Sequence, residues 1–174
     1  MKKIFITAAS ICLITACTSL KPKSDIGFVI HEATLSTLHD AIAKGTSCES
    51  ITSSYINRIK KYDKTANLNA IILINPNAIN RARDMDTKFK TTGKQTTLHC
   101  APVILKDNFD TADMPTEAGA IALKGSIPPD DAFMVKKLRQ AGAIIIAKSN
   151  MAEWAFSPYE TISSTHDETT NAYD

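Results

Sequence analysis

A chain of 174 residues, 44% hydrophobic and 22% charged, carries enough apolar material for one packed domain and has neither a disordered nor a fibrous composition. Its formal charge of +2 is too small to hold a polyanion. No cluster of lysines interleaved with aromatics marks a nucleic-acid surface, so no nucleic-acid partner is expected.

The chain opens on what reads as an export signal, residues 1–16. Lys2 and Lys3 precede a mostly apolar run from Ile4 to Ala16, the length of a signal-peptide core and short for a transmembrane helix. Ile14-Thr15-Ala16-Cys17 resembles a bacterial lipobox, in which cleavage leaves Cys17 as the lipidated first residue. A plain secretory signal and a short anchoring helix are the alternatives. Lipidation of Cys17, by a diacylglycerol and an N-terminal acyl chain, would supply the more than one hydrocarbon anchor that stable membrane attachment requires. Thr18 after the cysteine, where Asp would favour the inner membrane, directs the expectation to the outer membrane facing the periplasm of a Gram-negative host. Cleavage removes Lys2, Lys3 and no acid, so the mature chain has a formal charge of zero.

Residues 17–30, with Pro22 and Gly27, form the lipidated N-terminus and a tether. The folded domain is expected over residues 31–174. A first helix spans Thr34 to Lys44 and stops at Gly45. Thr46 to Glu49 fits a capping box, opening a second helix to about Tyr62 whose apolar stripe is Cys48, Ile51, Tyr55, Ile59 and Tyr62. Leu68 to Ile74 reads as a buried strand. Pro76 starts a third helix with Ala78, Ala82, Met85 and Phe89 inward. Asp84 with Lys88 and Asp86 with Lys90 are ion pairs expected on its outer side. A loop from Thr91 to Thr97 leads to a strand over Ala101 to Leu105.

The glycine- and proline-punctuated stretch from Lys106 to Pro129 reads as a functional loop with one short helix. Asp130 and Asp131 are expected to cap a helix over Ala132 to Ala141, with Met134, Val135, Leu138 and Ala141 inward. Gly142 ends it, and Ala143 to Ala147 is a third strand. Alternating helices and apolar strands predict an α/β fold. The last seventeen residues are polar and carry no periodic pattern.

After loss of Cys12 with the signal and lipidation of Cys17, Cys48 and Cys100 remain. In an oxidising compartment they form a possible disulfide; two buried free thiols are the alternative. No metal site is expected, because His99 beside Cys100 is not zinc-ligand spacing.

Lys106 ends an apolar strand, where a lysine usually packs its stem on the sheet and solvates its amine. The run Ala101-Pro102-Val103-Ile104-Leu105-Lys106-Asp107-Asn108 resembles the catalytic-lysine segment of the amidase signature family. The resemblance continues through Pro115-Thr116, Ala118-Gly119 and Pro129 to Phe133, then through Leu138 to Ile145 and Lys148 to Trp154. It implies the N-terminal part of a three-layer α/β/α fold with a mixed sheet, and hydrolysis of C–N bonds in carboxamides without cofactor. Lys106 would be the general base, acting through a serine on a cis peptide upon a nucleophilic serine.

The resemblance also places Asp107, Asn108, Ser149, Asn150, Met151 and Glu153 in the active-site loops, with Glu153 as either a charge partner of Lys106 or a solvated residue. Both serines fall beyond Asp174, so the chain reads as truncated and inactive alone. A small amide substrate would bind only once the C-terminal part completes it. Ser149, Ser157, Ser163 and Ser164 lie downstream of Lys106 but lack a glycine-flanked nucleophile turn. A split enzyme and a lipid-anchored binding or scaffold module are the other readings. The aminoacyl-tRNA amidotransferase branch of the same family is disfavoured by the export signal and zero charge. Some three strands are expected, the third forming an uncovered edge.

Overall fold

The computed structural model describes residues 28–173. The signal segment, the lipobox cysteine and most of the tether lie outside them. The element order is α1 (Leu35–Ala43), α2 (Cys48–Tyr62), β1 (Ile71–Ile74), α3 (Ala78–Thr92), β2 (Pro102–Lys106), α4 (Phe133–Gln140), β3 (Ile144–Ser149), β4 (Thr161–Ser163) and β5 (Asp167–Thr169). Short 3-10 turns lie at Ile121–Leu123 and Glu153–Ala155. The larger sheet is mixed, in the order β1-β3-β2, with β3 parallel to β2 and antiparallel to β1. The third strand is therefore central. The expected edge is corrected: β1 and β2 flank β3, because the crossover through α4 returns β3 between them.

Helices cover both faces of this sheet, which makes the fold α/β in three layers. On one face Leu38, Ile42, Cys48, Ile51, Ile56, Ala78 and Ala82 pack on Ile144, Ile146 and Ala147. On the other, Val135 and Met114 pack on Leu105 and Ile145. Adjacent strand residues normally face opposite ways, yet Ile146 and Ala147 share one cluster. The register explains it: Val103 pairs with Ile145, but Ile104 pairs with Ala147. This bulge at Ile146 inverts the facing of everything after it.

Several local expectations shift. The cap of α2 is Ser47, whose hydroxyl accepts from the Ser50 amide, and Glu49 instead pairs with Arg83 at 2.6 Å. Asp86 is not on an outer face. Its carboxylate accepts from the Cys48 and Glu49 amides at 2.7 and 3.1 Å, taking two orphan donors of the first turn of α2. Tyr62 is exposed, while Thr52 and Ile56 are buried in its stead. Ala132 caps α4 without a side-chain bond, and Met134 is exposed. Asp131 and Asp113 clasp Arg139 at 2.9 and 2.7 Å, so Asp131 is spent on an ion pair. The tail forms an antiparallel hairpin, β4 with β5. Long-range bonds hold it rather than periodicity: Thr170 N donates to Leu68 O, and Thr169 Oγ1 to Asn69 O.

Cys48 and Cys100 are joined in a disulfide with Cα atoms 5.4 Å apart, linking the start of α2 to the turn before β2. Closing a span of 52 residues should stabilise the fold by on the order of 4 kcal/mol through lost unfolded-state entropy. Urea titration of Cys48→Ala with Cys100→Ala should show that loss; an unchanged midpoint would remove the cross-link from the stability account.

Candidate functional site

The site region lies at the carboxyl end of β2 and β3, where ligand crevices of α/β sheets form. The parallel register sets Leu105 opposite Lys148 and Lys106 opposite Ser149. Two lysines thus sit side by side on neighbouring strands in opposite environments. Lys106 is exposed, and its amine makes no hydrogen bond or ion pair among the described residues. Lys148 is fully buried. The bulge at Ile146 turns Lys148 toward the loop after β2, where its amine donates to Phe109 O at 2.7 Å and Thr116 Oγ1 at 2.9 Å.

Asp107 is also buried, with Oδ1 3.9 Å from the Lys148 amine. Its carboxylate accepts from the amides of Glu117 and Gly119, each at 3.3 Å. Burial drives both groups toward neutrality. The Asp107 pKa is raised by desolvation, against the Glu117 and Gly119 amides and the Lys148 charge. Lys148 is lowered by desolvation, against Asp107, Asp110, Asp113 and Glu117. The pair cannot be read as two freely solvated ions. It pins the loop from Phe109 to Gly119 beside the strand end that carries Lys106.

Gly119 lets that loop close. Its φ is +67°, and an added Cβ would lie 2.7 Å from Met151 O and 3.3 Å from the Glu153 backbone. Only a residue without a side chain permits this approach. The hairpin then seals the loop from outside. Ser163 Oγ donates to Gly119 O at 3.0 Å, and His166 Nε2 lies 2.8 Å from Glu117 Oε2, whose other oxygen accepts from the Gly125 amide.

Of the residues singled out from the sequence, Lys106, Asp107, Asn108 and Ser149 cluster at the paired strand ends, with Asn108 exposed. Asn150 is buried and holds the hairpin, donating to Asp167 O at 3.1 Å and Thr169 Oγ1 at 3.0 Å. Met151 is buried against the Gly119 turn. Glu153 is half-buried, and no ion pair joins it to Lys106 among the described residues. Lys148 and the Glu117–His166 pair carry structural weight that the sequence did not disclose. A charge at the end of an apolar run reads as solvated unless the covering loop is known.

The amidase family profile matches residues 50–174. A protein of Arabidopsis thaliana named as a probable amidase is 38% identical over 132 residues, 74% of this chain and 25% of that protein. A glutamyl-tRNA(Gln) amidotransferase subunit of Thermoanaerobacter pseudethanolicus is 36% identical over 128 residues, 72% of this chain and 26% of that one. The native peptide amidase of Stenotrophomonas maltophilia superposes with a TM-score of 0.74 at 35% identity, covering 82% of this chain and 30% of that structure. The chain spans about a quarter of the length of the curated relatives it matches.

Proposed function

Because this chain belongs to the amidase family, we propose that it is the lysine-bearing part of a hydrolase acting on the C–N bond of linear carboxamides. The observation that carries the reading is the place of Lys106. It ends the apolar strand β2, in register with Ser149 of β3, inside the region matched to the family. In this reading the nucleophilic serine and the serine that relays its proton come from polypeptide beyond these residues. Lys106, as the neutral amine, takes the relayed proton while the nucleophile's oxygen attacks the amide carbonyl. The proton then passes to the departing nitrogen, and water hydrolyses the resulting ester.

The 174 residues alone do not turn over in this account, since a lysine without its nucleophile cannot transfer an acyl group. Exposed Trp154, Phe156 and Tyr159 support the view that further polypeptide covers this side. Substrate chemistry is that of a small amide, without nucleic acid. In this reading export of the chain, rather than its charge, separates it from the tRNA-directed role that the name of the Thermoanaerobacter relative carries.

The test compares ammonia or amine release from simple carboxamides by the 174-residue chain and by the same chain extended with, or mixed with, a serine-bearing amidase remainder. Turnover only in the completed form is the expected result. A stable, monodisperse chain that gains no activity when completed would favour the lipid-anchored scaffold instead.

The anchoring part of the proposal rests on Ile14 to Cys17 and places the mature protein on the periplasmic side of an outer membrane, lipidated at Cys17. Radiolabelled palmitate should enter the protein in a Gram-negative host and be lost in Cys17→Ser. Label retained in that variant would refute the lipobox.

A further inference from the structure

We propose that Cys48, His99 and Cys100 form a second site, with two states. Oxidised, it is the disulfide; reduced, it is a buried Cys2His ligand set for a thiophilic divalent metal ion, with zinc the best match.

The ligand atoms of the three residues all lie within 4.8 Å of one another, and all three residues are buried. A tetrahedral zinc ion with sulfur at about 2.3 Å and nitrogen at about 2.0 Å spaces its ligands roughly 3.5–3.8 Å apart, so the sulfurs, bonded in the oxidised state, must part to that distance once reduced. Cys48 Sγ is already 3.8 Å from His99 Nε2. Sequence spacing speaks against zinc only for His99 and Cys100 by themselves. The fold brings in Cys48 from the start of α2, 51 residues before His99. It also places Cys100 at φ 61°, a left-handed turn that lets neighbouring side chains converge.

A second observation concerns the His99 ring. His99 is 1% exposed, yet its Nδ1 is buried without a hydrogen-bond partner. His39 Nε2 is likewise buried and unpartnered. The His99 nitrogen facing the Cys48 sulfur is Nε2, and the unpartnered Nδ1 is the other side of the ring, so the imidazole is not held in place by a hydrogen bond on that side and can reorient toward an ion. The turn that carries the site is otherwise fully bonded. Cys100 N donates to Gly142 O at 2.9 Å, Ala101 N to Leu98 O at 2.9 Å, and Leu98 N to Ala141 O at 2.8 Å. Thiolate and imidazole together select zinc or copper(I) over hard cations.

Passage between the two states takes a dithiol reductant. It attacks one sulfur of the disulfide, and its second thiol resolves the mixed disulfide. Two electrons and two protons pass to Cys48 and Cys100, and the reductant leaves as its own disulfide. Entry of the divalent ion then displaces both thiol protons. In either state α2 stays tethered to the turn before β2, and with it the strand carrying Lys106. The site does not depend on amide hydrolysis.

Cobalt(II) is the probe, because thiolate ligation gives it a charge-transfer absorption. The full chain, reduced with a phosphine under anaerobic conditions and freed of reductant, should bind one cobalt ion with that absorption and release it to zinc. Cys48→Ser should abolish the charge-transfer band, and His99→Ala should weaken cobalt binding at least about tenfold. The unreduced chain should show no band. Circular dichroism of the reduced chain is followed throughout. If reduction unfolds it, metal should restore the folded spectrum. Absence of the band in a folded reduced chain, unchanged affinity in His99→Ala, or failure of metal to refold an unfolded reduced chain would each overturn the proposal.

Discussion

Lys148→Met should destabilise the fold by about 3–5 kcal/mol, because it strips the charged partner from buried Asp107, leaves Thr116 Oγ1 without its donor, and leaves Phe109 O with the Thr116 hydroxyl alone at 3.2 Å. For a domain of this size that is a fall in Tm of roughly 10 °C. Asp107→Asn should cost less, since an amide still fits beside the Glu117 and Gly119 region but no longer offers the amine a charge. The two changes together should cost less than their sum, the mark of direct coupling in a double-mutant cycle. Additive losses, or a Lys148→Met variant as stable as the parent, would show that the amine is merely tolerated.

The pH dependence of that difference has a definite sign. The folded pKa of Lys148 is lowered, so between it and 10.5 the unfolded chain binds the proton more tightly. Stability contributed by this group therefore rises with pH across that window, and the parent should gain on Lys148→Met as the pH climbs toward 10.5. Asp107 works the other way. Its raised folded pKa means the native state holds the proton above 3.8, so its contribution falls as the pH rises through that lower window. Chemical denaturation at several pH values measures both limbs.

Lys106→Ala should do the opposite of Lys148→Met. Lys106 is exposed and has no hydrogen bond or ion pair to lose among the described residues, so the variant should melt within about 0.5 kcal/mol of the parent. In the completed amidase, however, loss of the general base should lower kcat/KM at least about a thousandfold, or about 4 kcal/mol of transition-state stabilisation. Neighbouring lysines would then separate cleanly, one serving stability and one chemistry. Full activity in a completed Lys106→Ala enzyme would defeat the proposed mechanism.

Much of the organisation could be read from residue patterns because it depends on local spacing. A glycine stop placed α1, apolar residues three and four apart placed α2 to α4, and apolar runs placed β1 to β3 within a few residues. The segment around Lys106 to Glu153 carried enough specific residues to indicate the amidase family, which the profile over residues 50–174 bears out. Partners that depend on distant segments were hidden. Spacing alone makes Asp86 one member of a surface ion pair, whereas in the fold it receives the start of α2. The polar tail looked irregular because its order comes from Asn69, Gly119 and Asn150, far away in the chain.

Lys148 shows the division most sharply. Period-two patterning assigns a strand residue its face, but a single bulge at Ile146 reverses that assignment and leaves no mark in composition. Burial of the amine then follows from a loop closing at Gly119 and a hairpin sealed by Ser163. Chain-local patterns specify which elements form and which family chemistry they carry. Which lysine is dry, which is wet, and which cysteine meets which histidine are set by contacts between segments, because desolvation is a property of the assembled fold.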